Sequence, residues 1–447
     1  MKEGDSFRVI ESFPAVRRSL EPSRSCWRKI DASYPVDPAM NVLVINYEYP
    51  PVGGGGGVIC KDISEEIVRK GHKVTVVTSQ FGTLPRQEKE NGVTVVRLPV
   101  VMRNKQDVAS IASMLSFVPL SAWKVGSLLK QERYDIVNTH FAIPSGPAGH
   151  YVSWRYGIPN VLSIHGGDIF DPSKKLSPHD TIGLKQTVRK MLKKADRVIA
   201  QSSDTKCNAE TYYGVDRRID IVPLGIKPGT HAPKSRQALG LPTDKPIFST
   251  IGRLVRRKNL PELLQIFREI QKSIPSLLFI IGDGPEKENI EHAIGNLGLQ
   301  GAVRLLGRVS DERKYEILNV SDGYLSTAIH EGFGIVFLEA MECGLPVICY
   351  DRGGQRDFLI SGRTGFLVEL GNKEEFASRL KELLRSPSLR LDVRAHNKQY
   401  VREFYIGNVA EKYLSIFRDA ALLAGAVHHE EGHPGTVSEG VRFHRQR

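Results

Sequence analysis

The stretch His330-Glu331-Gly332-Phe333-Gly334-Ile335-Val336-Phe337-Leu338-Glu339-Ala340-Met341-Glu342-Cys343-Gly344 constrains this chain more than any other. Gly332 and Gly334 carry no Cβ, so the backbone there can come close to a ligand. Ile335 to Cys343 reads as a buried helix, stopped at Gly344-Leu345-Pro346. A helix that begins under a glycine turn offers free N–H groups and the positive end of its dipole to an anion. Two carboxylates bracket the turn: Glu331 precedes the helix and Glu339 lies within it, eight positions later. That arrangement suits a ligand with phosphate at its centre and hydroxyls at both ends, the shape of a nucleotide sugar. The competing reading is an amphipathic core helix with both Glu residues in solvent. The features that follow in register along the chain set it aside.

The helix needs a sheet to lie on. Asn41 to Asn46 is an apolar strand directly after Met40, and Lys73 to Ser79 is another. Between them lie the run Gly53 to Gly57 and a helix reaching Lys70, which together make a βαβ unit with its glycine loop at the strand's carboxyl end. The run does not follow the G-x-G-x-x-G rule, and the second strand ends Val77-Thr78-Ser79 with no acid, which argues against a dinucleotide. Five glycines together imply that something comes close to them.

Further strands are expected at Val93 to Leu98, Asp135 to Asn138, Asn160 to Ile164 and Arg197 to Ala200, with helices near 121–131, 146–156 and 181–194. His140 and His165 fall just past strand ends, and His165 is followed by Gly166-Gly167. A second series has strands at Ile247 to Ile251, Leu277 to Ile281, Val303 to Leu306, Gly323 to Ser326, Val347 to Tyr350 and Gly365 to Val368. Strands alternating with helices mean parallel, doubly wound sheets. A length of 447 residues fits two such domains.

Composition excludes some partners. The net charge is +12, but the cations are interspersed with acids and lack interleaved aromatics, which speaks against nucleic acid. Five scattered cysteines form neither a disulfide framework nor a zinc site. The N-terminus lacks the apolar core of a signal peptide. The best spanning candidate, Val108 to Leu129, is interrupted by serines, Lys124 and Pro119, so the cytoplasm is the expected compartment. Leu184 to Lys194 is a basic amphipathic helix. It fits a solvated face, or peripheral contact with an anionic membrane at its inner surface.

Four motifs taken together now carry a resemblance. They are Glu331 to Glu339 with its glycine turn; Gly252-Arg253-Leu254 with Lys258-Asn259; Gly282-Asp283-Gly284-Pro285; and Gly353-Gly354 with Gly362-Arg363-Thr364-Gly365. From Met40 to about Ala424 the chain resembles the retaining glycosyltransferases of family 4. The resemblance implies the GT-B fold: α/β, with two Rossmann-like doubly wound parallel-sheet domains facing across a cleft. It divides the chain into an acceptor-side domain at 40–226 and a nucleotide-sugar-binding domain at 227–403. A crossover helix at 404–424 then returns to the first domain. Residues 1–39, which lack periodicity, are expected to be a disordered extension, and 425–447 a disordered tail.

The resemblance also implies roles. Arg253 and Lys258 hold the donor diphosphate, Glu331 contacts the transferred sugar and Glu339 the ribose. Gly252 and Gly282 line the donor site. Backbone groups of Phe333, Gly334, Ile335 and Val336 approach sugar and phosphate, Gly54 and Gly55 line the cleft, and His165 stands near the sugar. Where the family has a Trp in the crossover, this chain has Ile406.

The expected reaction is hexosyl transfer from a UDP- or GDP-linked sugar, acting as co-substrate, to a glycan, lipid-linked or small-molecule hydroxyl. Configuration is retained, and neither a cofactor nor a metal is required. A nucleotide-sugar epimerase on the same fold and a non-catalytic nucleotide-sugar-binding protein are the alternatives.

Overall fold

Four-residue runs such as Val42-Leu43-Val44-Ile45 are buried on both sides, which only the middle of a covered parallel sheet provides. The computed structural model describes residues 38–106, 109–171, 177–229 and 233–430, with side chains as far as 424. The segment 1–37, most of the expected N-terminal extension, and 431–447 lie outside the described residues.

The first sheet contains β1 (Asn41–Ile45), β2 (Lys73–Ser79), β3 (Gln87–Glu90), β4 (Val93–Leu98), β5 (Ile136–His140), β6 (Asn160–Ile164), β7 (Arg197–Ala200) and β8 (Asp220–Ile221). Its order is β3-β4-β2-β1-β5-β6-β7-β8. All pairs are parallel except β3 with β4, an antiparallel edge that the expected all-parallel sheet lacks. Gln-Glu-Lys-Glu carries no apolar alternation, because an edge strand in water buries no face.

Helices α1 (Gly55–Arg69), α2 (Ile111–Leu128), α3 (Gly146–Tyr156), α4 (Ile182–Lys194) and α5 (Ser203–Tyr213) cover this sheet. Alternation along the strands sorts them. Val42 and Val44 share a core with α1, whereas Leu43 and Ile45 share one with α2 and α3. Leu162 and Ile164 continue that second face under α4 and α5. Helix α2 begins ten residues before the expected 121–131. Ser110 and Ser113 exchange side-chain-to-backbone bonds of 3.1 Å as a capping box, and Pro119 stands within the helix on its outward side.

The second sheet contains β9 (Ile247–Ile251), β10 (Leu277–Ile281), β11 (Val303–Gly307), β12 (Gly323–Ser326), β13 (Val347–Tyr350) and β14 (Gly365–Val368). It is all parallel, in the order β11-β10-β9-β12-β13-β14. Around it lie α6 (Leu260–Gln271), α7 (Lys287–Asn296), α8 (Asp311–Val320), α9 (Ile335–Glu342), α10 (Lys373–Arg385) and α11 (Pro387–Tyr400). Buried Leu260, Leu263, Leu264, Phe267 and Ile270 recur at helical spacing and seat α6 on the sheet.

The last helix, α12 (Ile406–Glu430), buries Val409, Ala410, Tyr413, Leu414 and Phe417 against α1 and the first sheet. It runs six residues beyond the Ala424 end expected from sequence, so 425–430 is helical rather than tail.

Candidate active site

Parallel strands deliver their carboxyl ends to one edge, and ligands of open α/β sheets bind there. On the second sheet, neighbouring β9 and β10 are each followed directly by a glycine. Gly252 has φ +153 and Gly282 φ +136. A Cβ on Gly282 would stand 2.0 Å from the Gly252 carbonyl oxygen, and one on Gly252 would stand 2.6 Å from Lys258 Cε. Only glycine lets these turns close on each other with the Lys258 stem lying across them.

A short helical turn over Arg256–Lys258, ended by Asn259 at φ +50, aims two cations inward. Lys258 Nζ donates to Glu331 Oε1 at 2.5 Å, and Arg257 Nη1 to Oε2 at 3.2 Å. Glu331 is 6% exposed. Burial pushes its pKa up, but the charges of Lys258 and then Arg257 outweigh burial and hold the carboxyl at about 2. Glu331 is therefore a fixed anion between two fixed cations. Arg253 is exposed, and its side chain has no hydrogen bond or ion pair among the described residues, although its carbonyl accepts from the Val255 N–H at 2.9 Å.

Gly334, at φ +87, starts α9 with no side-chain cap. Its first-turn N–H groups, at Ile335 and Val336, are thus available to an anion. Phe333 turns its ring into the core against Phe358, with centroids 4.8 Å apart, so only its backbone faces a ligand. One turn further on, Glu339 meets Lys314 of α8 at 2.7 Å. Burial raises the Glu339 pKa, and Lys314 opposes that only in part. Lys314 also holds Asp311, at 2.8 Å.

From the first sheet come the glycine loop and two histidines. A Cβ on Gly53 would stand 2.5 Å from Glu48 Cβ, and one on Gly56 would stand 2.3 Å from Phe141 Cζ. Gly55 faces open space instead, and Gly54 has only Glu48 Oε2 nearby, 3.9 Å from where a Cβ would stand. Gly55 to Gly57 are the first turn of α1 and do not precede the helix.

His140 is the last residue of β5 rather than one past its end. Asn138 Nδ2 donates to the Val161 carbonyl and to Ser163 Oγ, each at 3.0 Å, which fixes its amide orientation. Asn138 Oδ1 then accepts from His140 Nε2 at 2.8 Å. His140 Nδ1 must therefore accept from His165 Nε2, at 2.9 Å. The relay ends at His165 Nδ1, which has no partner of hydrogen-bond geometry; the nearby Gln201 side chain acts on this ring and raises its pKa against burial. Burial pushes His165 down to about 4 and His140 far below its usual range, so both rings are neutral. Asp168 accepts from the N–H groups of His165 (2.9 Å) and Ala142 (2.7 Å), holding this loop in place.

The two sheets' loops meet at this point. Ser202 Oγ donates to the Gly332 carbonyl at 2.7 Å, and His330 Nε2 pairs with Asp204 at 3.1 Å. A Cβ on Gly166 would stand 3.1 Å from Gly332 Cα. The His165 loop and the Glu331 loop thus form one floor. Sequence reasoning missed Arg257, Lys314 and the Asn138–His140 relay; charge at the Lys258 and Glu339 spacings was the one signal available.

Two facing parallel-sheet domains with these loops define a GT-B glycosyltransferase. The model for glycosyltransferase family 4 matches residues 53–229, and that for glycosyl transferases group 1 matches 232–400. The chain belongs to this family. It is 26% identical over 386 residues to N-acetyl-alpha-D-glucosaminyl L-malate synthase of Bacillus anthracis, covering 83% of this chain and 95% of that protein. It is 27% identical to a D-inositol 3-phosphate glycosyltransferase of Rhodococcus opacus, covering 83% and 88%. The solved sucrose-phosphate synthase of Thermosynechococcus elongatus shares the fold at a TM-score of 0.76 and 20% identity, over 86% of this chain and 100% of that one.

Proposed function

We propose that this glycosyltransferase moves a hexose from a UDP- or GDP-linked donor to a hydroxyl acceptor, with retention of configuration and without a metal ion. The observation that carries the reading is the convergence of Lys258 and Arg257 on Glu331, beside the uncapped start of α9. The solved Anabaena HepE, 19% identical at a TM-score of 0.67, holds UDP, and the curated relatives named above act on hydroxyl-bearing small molecules.

In the reaction the bond between sugar C1 and a phosphate oxygen breaks. Positive charge grows on the sugar ring and negative charge on the departing diphosphate. Lys258, Arg257 and the first turn of α9 meet that negative charge without having to reorganise, and the exposed Arg253 adds a cation that orders on the diphosphate. Glu331, kept ionised, accepts hydrogen bonds from the sugar. Both of its oxygens are engaged by cations, so it is a poor nucleophile, which favours attack on the face the phosphate leaves. The acceptor oxygen bonds to C1, and its proton passes to the departing phosphate. Glu339 accepts from the ribose hydroxyls, and His165 Nδ1 accepts from a sugar hydroxyl.

The test is incubation with radiolabelled UDP- and GDP-sugars, with and without pooled acceptors, in EDTA. Acceptor-dependent transfer in EDTA, with an α-linked product from an α-donor, is expected. Interconversion of the donor without acceptor, or a strict need for Mg²⁺, overturns the reading.

A further inference from the structure

The helices α2, α3 and α4 form a surface unlike the rest of the molecule. Their sequences contain no Asp or Glu. They carry Lys124, Arg155 and five cations on α4, and none of these is ion-paired among the described residues. The same surface is apolar. Nine of the sixteen exposed large apolar side chains among the described residues fall between 101 and 182, and contacts join them: α3 packs on both α2 and α4, the Val101 N–H donates to Ser116 of α2 at 3.0 Å, and the Tyr151 and Trp154 rings lie 6.1 Å apart.

On α2 the outward stripe repeats every fourth residue: Ile111, Leu115, Pro119, Trp123. Leu115 is 69% exposed and Trp123 72%, while Trp154 on the adjoining α3 is 74% exposed. The opposite stripe, with Phe117 and Val125, is buried in the core. Helix α2 is the one described helix long and apolar enough to cross a membrane, but its inner face is already committed to the sheet. It can therefore lie on a bilayer and cannot span one.

The patch also leads to the site. The loop after β4 places exposed Val101 and Met102 over the start of α2, where Ser110 Oγ donates to the Met102 carbonyl at 2.8 Å. The same loop accepts from the Gly53 N–H through the Gln106 carbonyl at 3.1 Å, next to Gly54 and Gly55.

We propose that this surface docks on an anionic lipid bilayer, the α2 stripe and Trp154 entering the headgroup–acyl boundary and the α4 cations meeting the headgroups. Docking so arranged would present a lipid-borne acceptor to the Gly54–Gly55 side of the cleft, an addition that rests on the transferase reading. Charge selects this occupant. A second copy would set three helices that carry seven cations and no acid of their own, with Asp196 beside them, against themselves, which repels. Anionic lipid supplies the missing negative charge, and exposed Trp suits that boundary.

The test is co-sedimentation of the full chain, without any sugar, with phosphatidylcholine vesicles and with phosphatidylcholine–phosphatidylglycerol vesicles. Binding to the mixed vesicles that weakens with salt is expected. Lys190→Gln with Lys193→Gln should weaken it roughly thirtyfold, at two cations removed from the surface. Leu115→Gln with Trp123→Gln should abolish it. All four side chains are exposed, so both double variants should melt as the parent does. The proposal falls if the parent stays in the supernatant or binds both vesicles alike. It also falls if light scattering finds a dimer that the apolar pair of substitutions dissolves. None of these results involves sugar transfer, so the transferase reading stands or falls separately.

Discussion

Glu331 and Glu339 flank the same glycine turn, both are buried against a lysine, and their pKa values move in opposite directions. Glu331 faces two cations, Lys258 and Arg257, and is held at about 2. Glu339 has one, Lys314, which it shares with Asp311, and burial wins. The number of cations, not depth, separates a carboxylate built to stay charged from one that adjusts. The first is suited to the end of the ligand where charge develops, the second to an end that is bound alike throughout the reaction.

The sharpest way to break this contrast is Lys258→Ala. Charge accumulates on the leaving phosphate as the sugar departs, so a cation there stabilises the transition state more than bound donor. Turnover should fall about 10²–10³-fold with donor KM little changed. A raised KM at unchanged kcat would place Lys258 on a part of the donor that does not react.

Stability against pH tests the carboxylates themselves. A depressed folded pKa contributes stability above the unfolded value, ordinarily near 4.5, and that stability is lost as pH falls toward about 2. For Glu331 the contribution is on the order of 3 kcal/mol. Glu331→Gln should lower urea-melt stability by that order at pH 7, with the gap to the parent narrowing below about 4.5. A raised folded pKa has the reverse sign: its penalty is present above the folded value and absent below the unfolded one. Lys314, whose pKa Glu339 raises, loses one of its two carboxylates in Glu339→Gln and keeps Asp311, so this variant should cost clearly less stability at pH 7 than Glu331→Gln. Equal losses in the two variants would erase the distinction.

Glu339→Ala then sharpens it on the ligand side. Losing hydrogen bonds from the ribose to a charged acceptor should raise donor KM about tenfold or more while kcat holds. Isotope-labelled donor and steady-state kinetics measure both.

What could be read from sequence follows the same physics. Strands such as Leu277–Ile281 are buried on both faces and so are written as unbroken apolar runs. The turns at Gly252, Gly282 and Gly334 were legible because no other residue tolerates them. The partners of the carboxylates were not. Arg257 lies 74 positions from Glu331 and Lys314 lies 25 from Glu339. Arg256, Arg257 and Lys258 are all basic, so residue type could not tell which of them turn toward Glu331; the short helical turn they form decides it. The start of α2 was hidden by Pro119, whose ring is harmless on an outward stripe, and β3 by the polar composition of an edge.

The relay behind His165 tests the neutral part of the site and should give the smallest effect. Asn138 fixes His140, and His140 leaves His165 with its proton on Nε2 and a bare Nδ1. His140→Leu removes the acceptor for that proton. The His165 ring is then free to exchange tautomers, and half-measures of Nδ1 protonation turn an acceptor into a donor. One neutral hydrogen bond of about 1 kcal/mol is at stake, so kcat/KM for donor should fall only about fivefold. Fold loss could mimic that figure, and the ring nitrogen-15 shifts cannot. In the parent, long-range nitrogen–proton spectra should show His165 protonated at Nε2 and neutral from pH 5 to 8, since burial holds its pKa at about 4. In His140→Leu the two nitrogens should move toward each other. If the parent already shows averaged shifts, or a His165 titration near pH 6.5, the ring is not held by His140. Presetting would then be confined to the charged part of the site, Glu331 with Lys258 and Arg257.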